Sequence, residues 1–129
     1  MQITMTPIGY FYTEETEIPR HWSISDEKGQ IVIDPQYTEG LKHIRTGQQI
    51  VVIFYFHKSE PFTNDLLMQT PPHKGKKTGV FSICSPRRPN PIGLSVLSVT
   101  GINKNIIDVN RIDMIDGTPI LDIKPNIVP

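Results

Sequence analysis

The sequence contains no alanine and a single cysteine, and nowhere does an apolar run approach the length of a membrane-crossing helix. Each absence excludes something. Without alanine, and with prolines and glycines spread along its 129 residues, the chain lacks the material of long helices and favours short strands joined by defined turns. A codon bias toward Ile, Lys and Asn explains the missing alanine equally well, but the prolines stay informative either way. Cys84 has no partner for an internal disulfide, which agrees with a reducing compartment. No stretch of about 18 apolar residues occurs, and the start "MQITMTPIGYFY" has neither a basic leader nor a cleavage signature. A cytoplasmic protein with no membrane segment is the expectation.

Net charge excludes nothing, since 13 basic and 13 acidic residues cancel. Their placement is uneven. From Leu66 to Ile107 there is no Asp or Glu, yet Lys74, Lys76, Lys77, Arg87, Arg88 and Lys104 fall there, while Glu14, Glu15 and Glu17 cluster near the start. A solvated face is the commoner meaning of such a run, and an anionic polymer is the functional one.

What is present reads as strand. "QITMTPIGYFY" alternates, with Pro7 placing it at an edge or bulge. "GQIVIDP" is a short strand, and "QYTEGLKHI" has room for a turn or two of helix. "QQIVVIFYFH" is continuously apolar, as a central strand covered on both faces would be. Residues 58–78 form a long polar connection, with one short strand at "DLLMQ", and "GVFSI" is a strand ending at Cys84. "GLSVLSVTGI" and "IIDVNRIDM" make a hairpin around "NKN", and "DGTPILDIKPNIVP" closes the chain with a turn, a strand and a tail. The expectation is one all-β domain over residues 1–129: a single-sheet, closed or nearly closed barrel with minor short helices.

The familiar nucleotide and metal signals fail. In "HKGKKTG" Lys77 stands where a phosphate loop needs Ser or Thr. No G-x-G-x-x-G opens a helix, no G-x-S-x-G offers a serine nucleophile, and one cysteine with four scattered histidines (His21, His43, His57, His73) has no zinc spacing. A metal is not expected.

Two clusters carry more. In "SPRRPNPIGLS", Pro86, Pro89 and Pro91 fix their own φ angles and push Ser85, Arg88 and Asn90 into extended geometry, so the loop arrives prebuilt. Gly93 allows a positive φ or a close backbone approach, and Arg87 and Arg88 offer planar forks for phosphate, carboxylate or a stacked base. A tight barrel corner with solvated arginines explains the loop equally well. In "DMIDGTPILDIKP", Asp116-Gly117 marks a turn, but Asp113, Asp116 and Asp122 are more carboxylates than a turn needs. One of them can face a ligand's hydroxyl or amine; loose pairing with Arg111 and Lys124 is the commoner fate. His57 stands at a strand's rim, where a polar side chain meets a ligand or serves as a satisfied structural histidine, and Cys84 reads as a buried small hydrophobe without an evident base.

"GVFSICSPRRPNPIGLSVLSV" with "IDGTPILDIKP", supported by "IGYFY", "IPRHW", "GLKHI" and "FYFH", resembles the TrmO-type (YaeB-like) S-adenosylmethionine-dependent tRNA methyltransferases. The resemblance implies a non-Rossmann β-barrel acting as a homodimer, with each cofactor site near the subunit interface, and methylation of the exocyclic amine of a threonylcarbamoyl-modified adenosine beside the anticodon of tRNA. Carried over, the S-adenosylmethionine contacts fall on Pro19, Arg20, His21, His57, Lys58, Cys84, Leu94, Asp116, Gly117, Thr118 and Pro119. Asp116 or Asp122 is the candidate catalytic acceptor for the amine. Lys74, Lys76, Lys77, Arg87, Arg88 and Asn90 would shape the rim that meets tRNA or a partner subunit. The sequence departs from the family pattern at His21, where glutamine is common, at Cys84, where arginine is common, and at Asn126, where tyrosine is usual. It also stops where many bacterial members continue into a C-terminal extension. A methyltransferase with a non-tRNA acceptor, and a non-catalytic module binding cofactor or RNA, therefore remain open readings.

Overall fold

A computed structural model describes residues 1–72 and 75–129. Eight strands occur in the order β1 (Gly9–Tyr12), β2 (Lys28–Ile33), β3 (Gln49–Tyr55), β4 (Met68–Gln69), β5 (Thr78–Gly79), β6 (Ile92–Asn103), β7 (Ile106–Asn110) and β8 (Pro119–Pro125). Six of them close into a barrel in the order β1-β2-β7-β6-β3-β8, while β4 and β5 pair separately. Every barrel pairing is antiparallel, and the remaining regular segments are short 3-10 turns. The all-β barrel expected from the alternation is the fold. None of the helices among the described residues is long and apolar enough to cross a membrane.

The period of two explains the closure. On β3, Ile50, Val52 and Phe54 point inward, and on β6 Ser95, Leu97 and Val99 do the same. Phe11, Ile31, Ile33, Ile107, Val109 and Ile120, each at most 1% exposed, join them in the core. Each such side chain contributes about 1.5–3 kcal/mol by leaving water, and closing the ring leaves the barrel sheet no free edge.

Several boundaries differ from the sequence reading. The first strand starts at Gly9, and Ile3 and Met5 lie exposed before it. β3 is not a central strand covered on both faces: a ring has no centre, and its Gln49 and Tyr55 are exposed. "GVFSI" divides into β5 and a 3-10 turn, Val80–Ser82, of which Val80 alone is buried. "DLLMQ" is likewise a 3-10 turn, Asn64–Leu67, running into β4. "QYTEGLKHI" is a 3-10 segment, Pro35–Leu41, capped by Asp34, whose carboxylate accepts the Gln36 N–H at 3.2 Å. The β6–β7 hairpin forms around "NKN", with Lys104 in the left-handed region at φ 55°, but its second strand ends at Asn110 rather than Met114, where Arg111 turns to φ 65°.

Candidate active site

Three segments far apart in sequence line one cavity of about 670 Å³: Ile18–Trp22, Phe54 with Phe56–Ser59, and Ile83–Leu94. Asp113–Ile115 and Thr118 form its remaining wall.

The proline loop is held by its own arginine. Arg88 Nη1 donates to the carbonyls of Ile83 (3.0 Å) and Ser85 (3.1 Å), so this side chain staples the loop from within. From outside, Gln69 Nε2 donates to the Arg87 carbonyl at 2.7 Å and Ser59 Oγ to that of Pro86 at 3.1 Å. Gly93 meets the need for close approach, not for positive φ: a Cβ there would sit 2.4 Å from the Phe54 ring and 2.8 Å from that of Phe56. Those two rings meet edge-on at 5.1 Å, forming an apolar floor with Leu94, which remains half-exposed.

The acidic bend is fastened to β1. Gly117, at φ 82°, donates its N–H to the Phe11 carbonyl (2.8 Å), and Phe11 N–H returns a bond to Thr118 O (2.8 Å). Thr118 Oγ1 donates to Ile115 O at 2.6 Å. Only glycine takes that left-handed φ without strain.

Asp113 ties the two motifs to the third segment. Its carboxylate accepts Ser95 Oγ–H at 2.5 Å and the Trp22 N–H at 3.0 Å, joining β6 to the loop that carries Arg20 and His21. Burial pushes its carboxyl above the ordinary range, while the bonds from Ser95 and Trp22 and the nearby His21 pull it back. The Arg111 guanidinium lies 5.1 Å over the Trp22 ring, a cation–π contact that further fixes the loop. His21 Nδ1 lies 2.7 Å from Ser23 Oγ and accepts the Ser23 N–H, capping the 3-10 turn Trp22–Ile24. His57 Nδ1 is buried without a hydrogen-bond partner among the described residues. Burial, then Lys58, lowers its pKa, so the ring is neutral.

Of the residues expected to contact a cofactor, Pro19, Arg20, His21, His57, Lys58, Cys84, Leu94 and Thr118 line this cavity. Gly117 stands beside it, its missing Cβ 3.8 Å from His57 Nε2. Asp116 and Pro119 do not line it. Asp116 accepts the Thr13 N–H at 3.0 Å and borders a shallow pocket with Tyr12–Glu15. Asp122, the other expected catalytic carboxylate, bridges to Lys124 at 2.9 Å and lines a separate pocket with Ile8 and Tyr37. Of the expected rim, Arg88 lies in the cavity wall, Arg87 lines a second cavity, and Lys76, Lys77 and Asn90 are exposed outside both. Lys74 falls outside the described residues. The sequence reading counted Asp113 among three carboxylates of which one could face a ligand but did not single it out, and gave Trp22 and Ser95 no role; a carboxylate spaced from a serine and a tryptophan by 18 and 91 residues leaves no local signal. Cys84, read as a buried hydrophobe, is exposed.

Comparisons with known proteins bear on the family and the fold. A family model described as the tRNA-methyltransferase O N-terminal domain matches residues 8–128. A probable S-adenosyl-L-methionine-binding protein of Pyrococcus abyssi is 36% identical over 129 residues, covering 97% of this chain and 68% of that protein. The tRNA (adenine(37)-N6)-methyltransferase of Mus musculus is also 36% identical, over 94% of this chain but 30% of its own length. The crystal structure of TrmO from Pseudomonas aeruginosa superposes with a TM-score of 0.77 at 28% identity, covering 98% of this chain and 57% of that one. The chain thus spans about two-thirds of the archaeal relative, just over half of the bacterial structure and less than a third of the mammalian enzyme. Because the family match runs through nearly its whole length, this chain belongs to the family of the tRNA-methyltransferase O N-terminal domain.

Proposed function

We propose that this chain is an S-adenosylmethionine-dependent methyltransferase that modifies an adenine amine of tRNA, with the cofactor in the 670 Å³ cavity. The observation that carries the reading is convergence: Leu94 and Arg88 of the proline motif, Thr118 beside the acidic bend, and Arg20 of the "IPRHW" loop line one space. Its volume lies in the range of small-molecule sites. The cavity's chemistry fits the group as well. The half-exposed Leu94 and the paired phenylalanines suit an adenine ring, Arg20 and Lys58 suit a carboxylate, and the orphaned His57 Nδ1 is a buried polar atom awaiting a partner.

When bound, S-adenosylmethionine supplies an electrophilic methyl on a sulfonium. The chain's own contribution is positioning, exclusion of water and a charge environment that is already built. Asp113 is the positioning residue: its oxygens are held by Ser95 and Trp22, so the Arg20–His21 loop is fixed relative to β6 before anything binds. The Phe54 and Phe56 rings keep water from the floor. Neutral His57 offers a lone pair or an N–H without the cost of discharging an imidazolium. Asp116 shapes the bend by holding Thr13, and Asp122, paired with Lys124, takes no part. The reading extends to two copies per functional unit, an anticodon-loop target and a cytoplasmic setting, as the family likeness implies.

The test is Asp113→Asn. It keeps the shape but replaces one of two acceptors by a donor. Affinity for S-adenosylhomocysteine, measured by calorimetry, is expected to fall about tenfold, equivalent to about 1.4 kcal/mol, with single-turnover methylation of tRNA from cells lacking the modification falling at least as far. Unchanged values for both overturn the role of Asp113; no transfer of labelled methyl to tRNA by the unaltered protein overturns the function.

A further inference from the structure

A second cavity, of about 820 Å³, adjoins the first, and Arg20, His21, Ile83, Cys84 and Pro86 line both. Resting on the function proposed above, we propose that this second cavity is the acceptor subsite, which takes the unstacked target base of a single-stranded RNA loop.

Position is the first reason. Transfer between two molecules requires the reacting atoms to meet, and the residues common to both cavities, His21 and Cys84 among them, mark the rim where the two adjoin and ligands seated in them come into contact. In that encounter the lone pair of the base's amine forms the new N–C bond, the C–S bond gives its electron pair to sulfur, and the nitrogen then releases a proton to water.

Charge is the second. Among the described residues no Asp or Glu lines the cavity, whereas Arg20 and Arg87 do, and Lys76 and Lys77 are exposed in the connection that leads from it. Among the described residues neither arginine is in a salt bridge. Surface chemistry is the third. Ile24 and Met68 lie in this groove at 60% and 50% exposure, and apolar side chains left open beside unpaired cations suit a flat base with its phosphates outward. The groove is also prebuilt. Gln69 Nε2 donates to Leu66 O at 2.8 Å and to Arg87 O at 2.7 Å, clamping its two sides together, so little ordering cost remains at binding.

The test uses the full chain and a fluorescein-labelled anticodon stem-loop oligoribonucleotide, followed by anisotropy. Met68→Asp is expected to weaken RNA binding about tenfold while S-adenosylhomocysteine affinity stays within about twofold of the unaltered protein. Arg87→Glu is expected to flatten the log-log salt dependence by about one contact, a slope change near 0.7. A maleimide reporter needs no variant: RNA alone, and S-adenosylhomocysteine alone, should each slow labelling of Cys84, because that thiol borders both cavities. RNA binding that both variants leave unaltered, or RNA that gives Cys84 no protection, overturns the subsite. So does a Met68→Asp protein that loses self-association in sedimentation while binding RNA normally, since the groove would then be a contact between copies. Failure of the unaltered protein to bind S-adenosylhomocysteine would instead overturn the function on which this subsite rests.

Discussion

The barrel and the connection that crosses from β3 to β6 are built by different physics. In the barrel, Phe11, Ile31, Val52, Leu97 and Ile107 show no exposed surface, and neighbouring strands satisfy one another's backbone groups. Between His57 and Pro91, among the described residues, only Pro71 and Val80 are buried, and Phe81 stands 77% exposed. That connection is shaped instead by prolines and by side chains that bond to backbone: Arg88 to Ile83 and Ser85, Gln69 to Leu66 and Arg87, Ser59 to Pro86. The contrast teaches that stability and site geometry are encoded separately. Hydrophobic burial holds the frame, and a few directional bonds aim the loop that borders both cavities.

The sharpest way to break the contrast is to delete equal chemistry from each side of it. Leu97→Ala removes a fully buried side chain from β6 and is expected to cost about 2–5 kcal/mol. Phe81→Ala, which removes more carbon from the connection, should stay within about 0.5 kcal/mol because the ring is already in water. Urea denaturation followed by far-ultraviolet dichroism measures both. Comparable losses would mean that the connection carries stability after all.

A milder change probes directional bonding without touching the core. Arg88→Lys keeps the charge but removes the guanidinium nitrogen that reaches two carbonyls at once. Global stability is expected to move by less than about 1 kcal/mol, while affinity for S-adenosylhomocysteine falls several-fold as the wall from Ile83 to Arg88 loosens. Full affinity would show that charge alone suffices at this position.

The same division explains what the sequence made legible. Strands β2, β6 and β7 were readable because inward residues recur at every second position, and the "NKN" turn announced its hairpin. "GVFSI" misled because its residues suit a strand, yet beyond Gly79 it has no ladder partner, and a closed barrel leaves no edge to supply one. Around the cavity, Cys84, Arg88, Leu94 and Thr118 of the two motifs lie in the lining, since rigid loops concentrate prolines and glycines. Asp113 lines the cavity and Asp116 does not, for a physical reason. Both stand in the same bend, and only the fold brings Ser95 and Trp22 to one carboxylate and Thr13 to the other.

The smallest expected effect concerns protons, and it separates the two regions by sign. His57 opens the connection, and burial, aided by Lys58, holds its pKa below the ordinary imidazole value. The unfolded chain therefore binds this proton first as the pH falls. Stability contributed by neutral His57 is present above about pH 6.5, the ordinary value, and is lost as the solution is acidified toward the lowered folded one. Asp113, on the barrel side, behaves oppositely. Burial raises its carboxyl, so the folded chain holds that proton more tightly, and its contribution is favourable at low pH and is lost as the pH rises through the raised value. A His57→Gln protein should consequently lose less stability on acidification from neutrality to about pH 5.5 than the unaltered chain. The difference should be slight, because the imidazole is only partly shielded from solvent. Urea midpoints across that range measure it, and a variant that parallels the unaltered curve would show that His57 takes up its proton equally in the folded and unfolded states.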